Sequence, residues 1–138
     1  MIKYQNGILV DTSVWIDFFN NKYSVHANLL ESFIKNNEKI FICPVIYQEI
    51  LQGIKDDKKF KEIRNIILSF NILNDNIMII TNEAINLYRD LRKKGVTIRK
   101  SVDCLIASYS IINDLHLFFI DKYFENISKN TKIKIITT

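Results

Sequence analysis

Residues 8–19 read ILVDTSVWIDFF. An uninterrupted apolar triplet, Ile8–Val10, stops on an acid, Asp11, and passes through Thr12 and Ser13 into a segment with helical spacing. Apolar runs without alternation are how strands read when both of their faces are buried, as in parallel sheets covered by helices. A carboxylate placed where such a strand runs out has four chemical uses: helix cap, phosphoacceptor, nucleophile or metal ligand. The rest of the chain has to choose among them.

The same run of apolar residues recurs at Ile40–Cys43, Ile77–Ile80, Leu117–Ile120 and Ile133–Ile136, which are read as further strands. Helical patterns lie between them. In DDKKFKEIRNIILSF, residues 56–70, Phe60, Ile63, Ile66, Ile67 and Phe70 form one stripe opposite Lys and Glu. SVHANLLESFIKNN, residues 24–37, does the same with Ala27, Leu30, Phe33 and Ile34. Pro44 suits the first turn of a helix over Val45–Gly53. Thr81 is expected to cap a helix ending near Gly95, with Lys93 and Lys94 in its last turn. Ser101 is expected to cap a helix running through Asp103 to about Asn113. Alternating strands and helices imply an α/β fold, a three-layer α/β/α sandwich around a central, mostly parallel sheet. Its binding crevice should lie beyond the carboxyl ends of the strands. Asp11 stands at one such end, and Asp121, directly after LFFI, at another.

The 138 residues suit one domain over 1–138, and 48% hydrophobic content excludes a disordered chain. Nineteen Lys and Arg against 15 Asp and Glu leave a formal charge of +4, which is compatible with a polyanionic partner without demanding one. Cys43 and Cys104 have no metal-type or redox-type spacing and read as buried free thiols. No apolar run approaches the ~20 residues of a membrane span, and the N-terminus lacks a signal-peptide pattern. A soluble cytoplasmic protein is expected.

Among the acids, four break the pattern of solvated surface charge. Asp11 and Asp121 end apolar runs. Glu49, in PVIYQEIL, borders the apolar stripe of its helix. Asp103, in SVDCLIAS, lies in the first turn of an apolar helix. Each has an ordinary explanation taken singly: a favourable helix dipole for Asp103, worth about 0.3–1 kcal/mol, a cap for Asp11, a lysine partner for Glu49. Taken together, four acids converging at one sheet edge would repel one another unless something offset them. A hard divalent cation with oxygen ligands does so, and can activate water and stabilise a phosphodiester in transition. Thr12 and Ser13 add hydroxyls beside the first ligand.

These motifs, LVDTSVWID, PVIYQEIL, SVDCLIAS and FFIDKYFENI, resemble those of PIN-domain ribonucleases, and more narrowly VapC-like toxins of toxin–antitoxin pairs. The resemblance spans essentially the whole chain. It implies that Asp11, Glu49, Asp103 and Asp121 hold Mg²⁺ or Mn²⁺, that the protein cuts RNA, that it forms a homodimer, and that a cognate antitoxin silences it. The last motif departs from the family pattern: Ile120 precedes Asp121, and Tyr123 stands where a further acid often occurs. Asp17 also recurs in the pattern and is assigned a supporting place outside the core set.

In YRDLRKKGVTIRKSVD, residues 88–103, Arg99 and Lys100 directly precede the Asp103 helix and are the candidates for substrate phosphate contact; the other basic residues also suit a solvated face. Trp15, Phe18 and Phe19 are expected to pack in the core, with a partner groove near Trp15 and Phe18 as the further expectation. His26 and His116 read as structural. A haloacid-dehalogenase-type phosphatase would carry a second Asp where this chain has Ser13, and a receiver-type phosphoacceptor would need an acidic pair near its N-terminus. The remaining alternatives are an RNA-processing PIN nuclease without toxin function and a PIN-like module that binds without cutting.

Overall fold

The computed structural model describes residues 2–21 and 23–138. In chain order, the elements are β1 (Ile8–Val10), α1 (Thr12–Phe19), α2 (Val25–Lys35), β2 (Ile40–Ile42), α3 (Pro44–Gln52), α4 (Asp57–Ile67), β3 (Asn71–Ile72), α5 (Ile77–Lys93), α6 (Ser101–Ile112), β4 (His116–Phe118), α7 (Tyr123–Lys129) and β5 (Lys134–Ile135). The strands form one sheet in the order β3-β2-β1-β4-β5, and every pairing is parallel. From β1 the chain steps outward through β2 to β3, then returns across the sheet to β4 and β5. Parallel crossovers are right-handed, so the two directions of travel put α1–α4 on one face and α5–α7 on the other. The three-layer sandwich follows.

β1 is the centre of the sheet, and Ile8, Leu9 and Val10 are fully buried. That explains their unalternating apolar sequence. Trp15, one turn into α1, is also fully buried, with Phe19 stacked against it at 5.6 Å and Phe70 at 5.2 Å between ring centroids.

Four readings are corrected by the fold. Ile77–Ile80 is not a strand but the first turn of α5. The Asn76 side chain accepts from the amides of Met78 (2.9 Å) and Ile79 (3.4 Å), an N-cap that turns an apolar run into a helix. Only Ile80 of that run is buried. The third strand is instead Asn71–Ile72, an exposed edge held by pairing with Phe41 and Ile42 and by the Asn71 amide donating to Ile40 O (3.1 Å). Thr81 is not a cap: its hydroxyl bonds back to Ile77 O (2.6 Å). Ser101 begins α6, and Lys100 occupies the cap position. β1 has the bounds read from its sequence, whereas β2, β4 and β5 stop short of their apolar runs, so Phe119 and Ile120 separate β4 from Asp121.

Gly7 admits the chain into β1. Its φ of +114° is open to glycine and strained for other residues, and an added Cβ would run into the ring of Phe41 and lie 3.0 Å from Lys39 O. Lys39 O is the acceptor that holds Ile8 N (2.8 Å) beside β2. Gly7→Ala should therefore destabilise the fold by about 2 kcal/mol or more, combining backbone strain with overpacking. Urea denaturation checks this, as a lower midpoint at unchanged slope.

Candidate active site

Two strands adjacent in space but distant in sequence create the site. The chain order reverses at β1 and β4, and the Asp11 amide donates to Phe118 O (2.8 Å), joining the carboxyl ends of the two strands. This is the switch point where open α/β sheets form their crevice. Around it, β1 ends on Asp11, α3 leaves β2 and carries Glu49, α6 carries Asp103 in its first turn, and the loop after β4 carries Asp121. All four acids line one cavity of about 310 Å³, with Thr12, Ser13, Arg99, Lys100 and Tyr123. Ile16, Val102, Ile106 and Phe124 supply its apolar wall. Every site residue singled out from the sequence thus faces a common space.

Asp11 occupies the N-cap position of α1 but makes no side-chain capping hydrogen bond, though the amides of Thr12 and Ser13 lie near enough to favour its charged form. Its Oδ2 accepts from the Ser13 hydroxyl (2.8 Å). Burial raises its pKa, and the neighbouring Glu49 charge adds to the rise, against the opposing pull of Ser13 and nearby amides. Glu49 accepts at Oε1 from the Thr12 hydroxyl (2.8 Å), so the two residues after Asp11 each fix one carboxylate. Asp103 is pushed up to about 6, chiefly by burial and then by repulsion from Asp11, with Lys100 and Arg99 partly compensating.

Asp121 is different. Its Oδ1 accepts from the Tyr123 amide (3.0 Å), its Oδ2 pairs with Arg99 Nη2, and these contacts hold its carboxyl below the usual range. Arg99 lies over the Tyr123 ring at 4.3 Å, while the Tyr123 hydroxyl accepts from the Arg99 amide and donates to Thr97 O, both at 3.0 Å. Tyr123 was noticed in the sequence only as a departure from a pattern; its hold on Arg99 had no sequence signal.

Among the described residues, no trio of His, Cys, Asp or Glu side chains is gathered tightly enough to hold an ion as they stand. The donor chemistry nevertheless fits a hard divalent cation. The donors are all oxygens, Asp11 is crowded by a like charge, and two hydroxyls already orient the carboxylates. Cys43 and Cys104 are buried, with burial pushing their thiols up to about 12 and about 11, which suits neither ligand nor nucleophile.

Other expectations divide. Trp15 is core, as the first reading had it, and being sealed it cannot anchor a partner. Phe18 and Phe19 are half-buried against it. His116 packs on Tyr4 and His26 on Phe118, and neither lines the cavity. Asp17 is half-buried on α1 and lies outside the cavity lining.

A protein-family model described as the PIN domain matches residues 8–130. The chain belongs to the PIN-domain family. Ribonuclease VapC11 of Mycobacterium tuberculosis is 30% identical over 128 residues, covering 92% of this chain and 96% of its own. Among solved structures, VapBC2 from Rickettsia felis bound to a promoter DNA fragment shares the PIN fold at a TM-score of 0.74 and 22% identity, covering 94% of this chain and 96% of that one. A toxin–antitoxin complex from Klebsiella pneumoniae matches at 0.74 and 19% identity, covering 95% and 97%.

The raised Asp103 pKa has a stability consequence. The folded state favours the neutral carboxyl, so the group's contribution is fully present below its ordinary value of 3.8 and is lost as the pH rises through about 6. Asp103→Asn removes that loss. In EDTA, its melting temperature should rise relative to wild type as the pH passes upward through about 6, and a difference independent of pH would contradict this account.

Proposed function

We propose that this PIN-domain protein is a metal-dependent endoribonuclease, the toxin of a toxin–antitoxin pair acting in the cytoplasm. The observation that carries the reading is the convergence of four acids, two hydroxyls and two basic side chains at the β1/β4 switch point. The relative named as a VapC ribonuclease supports RNA as the substrate.

In this reading, Asp11, Glu49, Asp103 and Asp121 hold Mg²⁺ or Mn²⁺. Such an ion, when bound, supplies activation of water and relief of negative charge at the phosphodiester. Thr12 and Ser13 keep Glu49 and Asp11 from turning away. Arg99 and Lys100 receive the substrate phosphate on the rim. Ile16, Val102 and Ile106 restrict water around the acids, which strengthens the local electrostatics. The reaction needs no covalent enzyme intermediate: water gives up a proton as it attacks phosphorus, the bond to the 3′ oxygen breaks, that oxygen takes a proton to become a 3′-hydroxyl, and the other product carries a 5′-phosphate.

A groove for the antitoxin adjoins the site. Ile16 and Glu49 line both the acidic cavity and a second one of about 360 Å³, whose walls include Phe19, Ile50, Ile54 and Ile63, with Lys55, Asp56 and Lys59 at its edge. A bound apolar helix lying there would run up to the carboxylates. The groove is therefore assigned to Ile16, Phe19 and Ile54 in place of the sealed Trp15. Homodimerisation belongs to the same proposal, and the exposed Ile77, Met78 and Ile79 offer it an apolar surface. Among the described residues no helix is long and apolar enough to cross a membrane.

RNA cleavage in Mg²⁺ or Mn²⁺ should stop on adding EDTA and return with metal. Asp11→Asn should lose at least ~100-fold in rate while melting no lower than wild type in EDTA, because one repelling charge is gone. Undiminished cleavage in excess EDTA would refute metal dependence, and metal-independent RNA binding without cleavage would favour a binding module. For the groove, Ile54→Arg should keep cleavage but abolish co-elution with a co-expressed cognate antitoxin. Retained co-elution on gel filtration would place the antitoxin elsewhere.

A further inference from the structure

We propose that the Arg99 guanidinium occupies the place of a second cation, so that the site takes one metal ion, with its other positive charge built into the chain. The inference rests on the metal-dependent reading above and adds to it the number of ions and the role of Tyr123.

The four carboxylates divide into two groups. Among the described residues, Asp11, Glu49 and Asp103 form no ion pair, and the side-chain hydrogen bonds to Asp11 and Glu49 come from neutral hydroxyls. Among the described residues no cation touches these three carboxylates, and Lys100 and Arg99 offset the Asp103 charge only through space. Asp121 has one in Arg99, and both of its oxygens are engaged, Oδ2 by that guanidinium and Oδ1 by the Tyr123 amide at 3.0 Å.

A single surface ion pair would be weak evidence, since such pairs open readily in water. Arg99 is held at two further points, both on Tyr123. Its guanidinium carbon lies 4.3 Å from the centre of the Tyr123 ring, within reach of a cation–π attraction. Its amide donates to the Tyr123 hydroxyl at 3.0 Å, and that hydroxyl donates to Thr97 O at 3.0 Å. Tyr123 therefore fixes the backbone leading into Arg99, supports the charged head, and orients the carboxylate that receives it. A guanidinium has five donors in a planar fork, so pairing with Asp121 leaves others free for a phosphate oxygen. Mg²⁺ demands a near-ideal octahedron of oxygens, and at Asp121 it would have to displace this assembly, so this inference narrows the ligand set proposed above to Asp11, Glu49 and Asp103, with Asp121 seating Arg99. Tyr123 is a positioning residue in this account, and Arg99 a contact to the substrate phosphate.

The test is a Mn²⁺ titration of the full chain, followed by the electron paramagnetic resonance signal of the free ion. Wild type should bind one Mn²⁺ per chain at saturation. Arg99→Met, which keeps an apolar stem over Tyr123 without the charge, should bind two, and the second should be lost again in Arg99→Met combined with Asp121→Asn. Two ions in wild type, one ion in Arg99→Met, or two in the double variant would each overturn the inference while leaving metal dependence intact. No Mn²⁺ bound by wild type would remove the metal reading itself, and this inference with it. The readout is binding, so it does not depend on knowing the RNA target.

Discussion

Asp11 is a carboxylate that folding partly buries, with no cation against it among the described residues. It ends the central strand, at a point fixed by its own amide bonding to Phe118 O. There it meets the charges of Glu49 and Asp103. Burial and like charge act in the same direction on it, and a serine hydroxyl and nearby amides oppose them only partly. A protein that needed only a stable sheet would place an apolar or small polar residue at this position. In the proposed function, a cation bound in the cavity around Asp11 would offset that electrostatic cost.

The sheet is the device that produces this crowding. β1 lies at the middle of the order, flanked by β2 on one side and β4 on the other, so three strand ends point into one region. The helix leaving β2 delivers Glu49, and α6, which follows α5 and leads into β4, delivers Asp103 from its first turn. The sealed indole of Trp15 packs α1 against Phe70, which helps set where Thr12 and Ser13 stand. Those two hydroxyls then hold Glu49 and Asp11. Core packing and site geometry are joined through a single helix.

The positive groups are organised separately from the negative ones. Arg99 and Lys100 belong to the segment before α6, and Arg99 is clamped by residues beyond β4. The proposed substrate rim thus depends on two segments that are far apart in sequence. Tyr123, which takes no part in the sheet, determines their relative position. The apolar groove beside Glu49 runs the other way, between α1, α3 and α4, so an RNA phosphate and a bound helix would approach the acids from different sides.

Much of this was legible in the residues. The unalternating run of β1, Pro44 at the start of α3, the amphipathic stripes of α2 and α4 and the four acids all carry their signal locally, because strand burial, helix periodicity and charge at an element's end are properties of short segments. Ile77–Ile80 was misread because an apolar run has no intrinsic strand preference once an Asn76 cap starts a helix. Asn71–Ile72 was missed because an exposed edge strand is made by its partner and has no hydrophobic pattern of its own. The sequence by itself determined which side chains are chemically suited to a site and that strands would alternate with helices. Only the tertiary structure decided that Thr12 holds Glu49, that Trp15 is sealed, and that Tyr123 and Asp121 clamp Arg99. The last joins residues 22 or more positions apart, and such contacts depend on how loops meet in space, which no local pattern encodes.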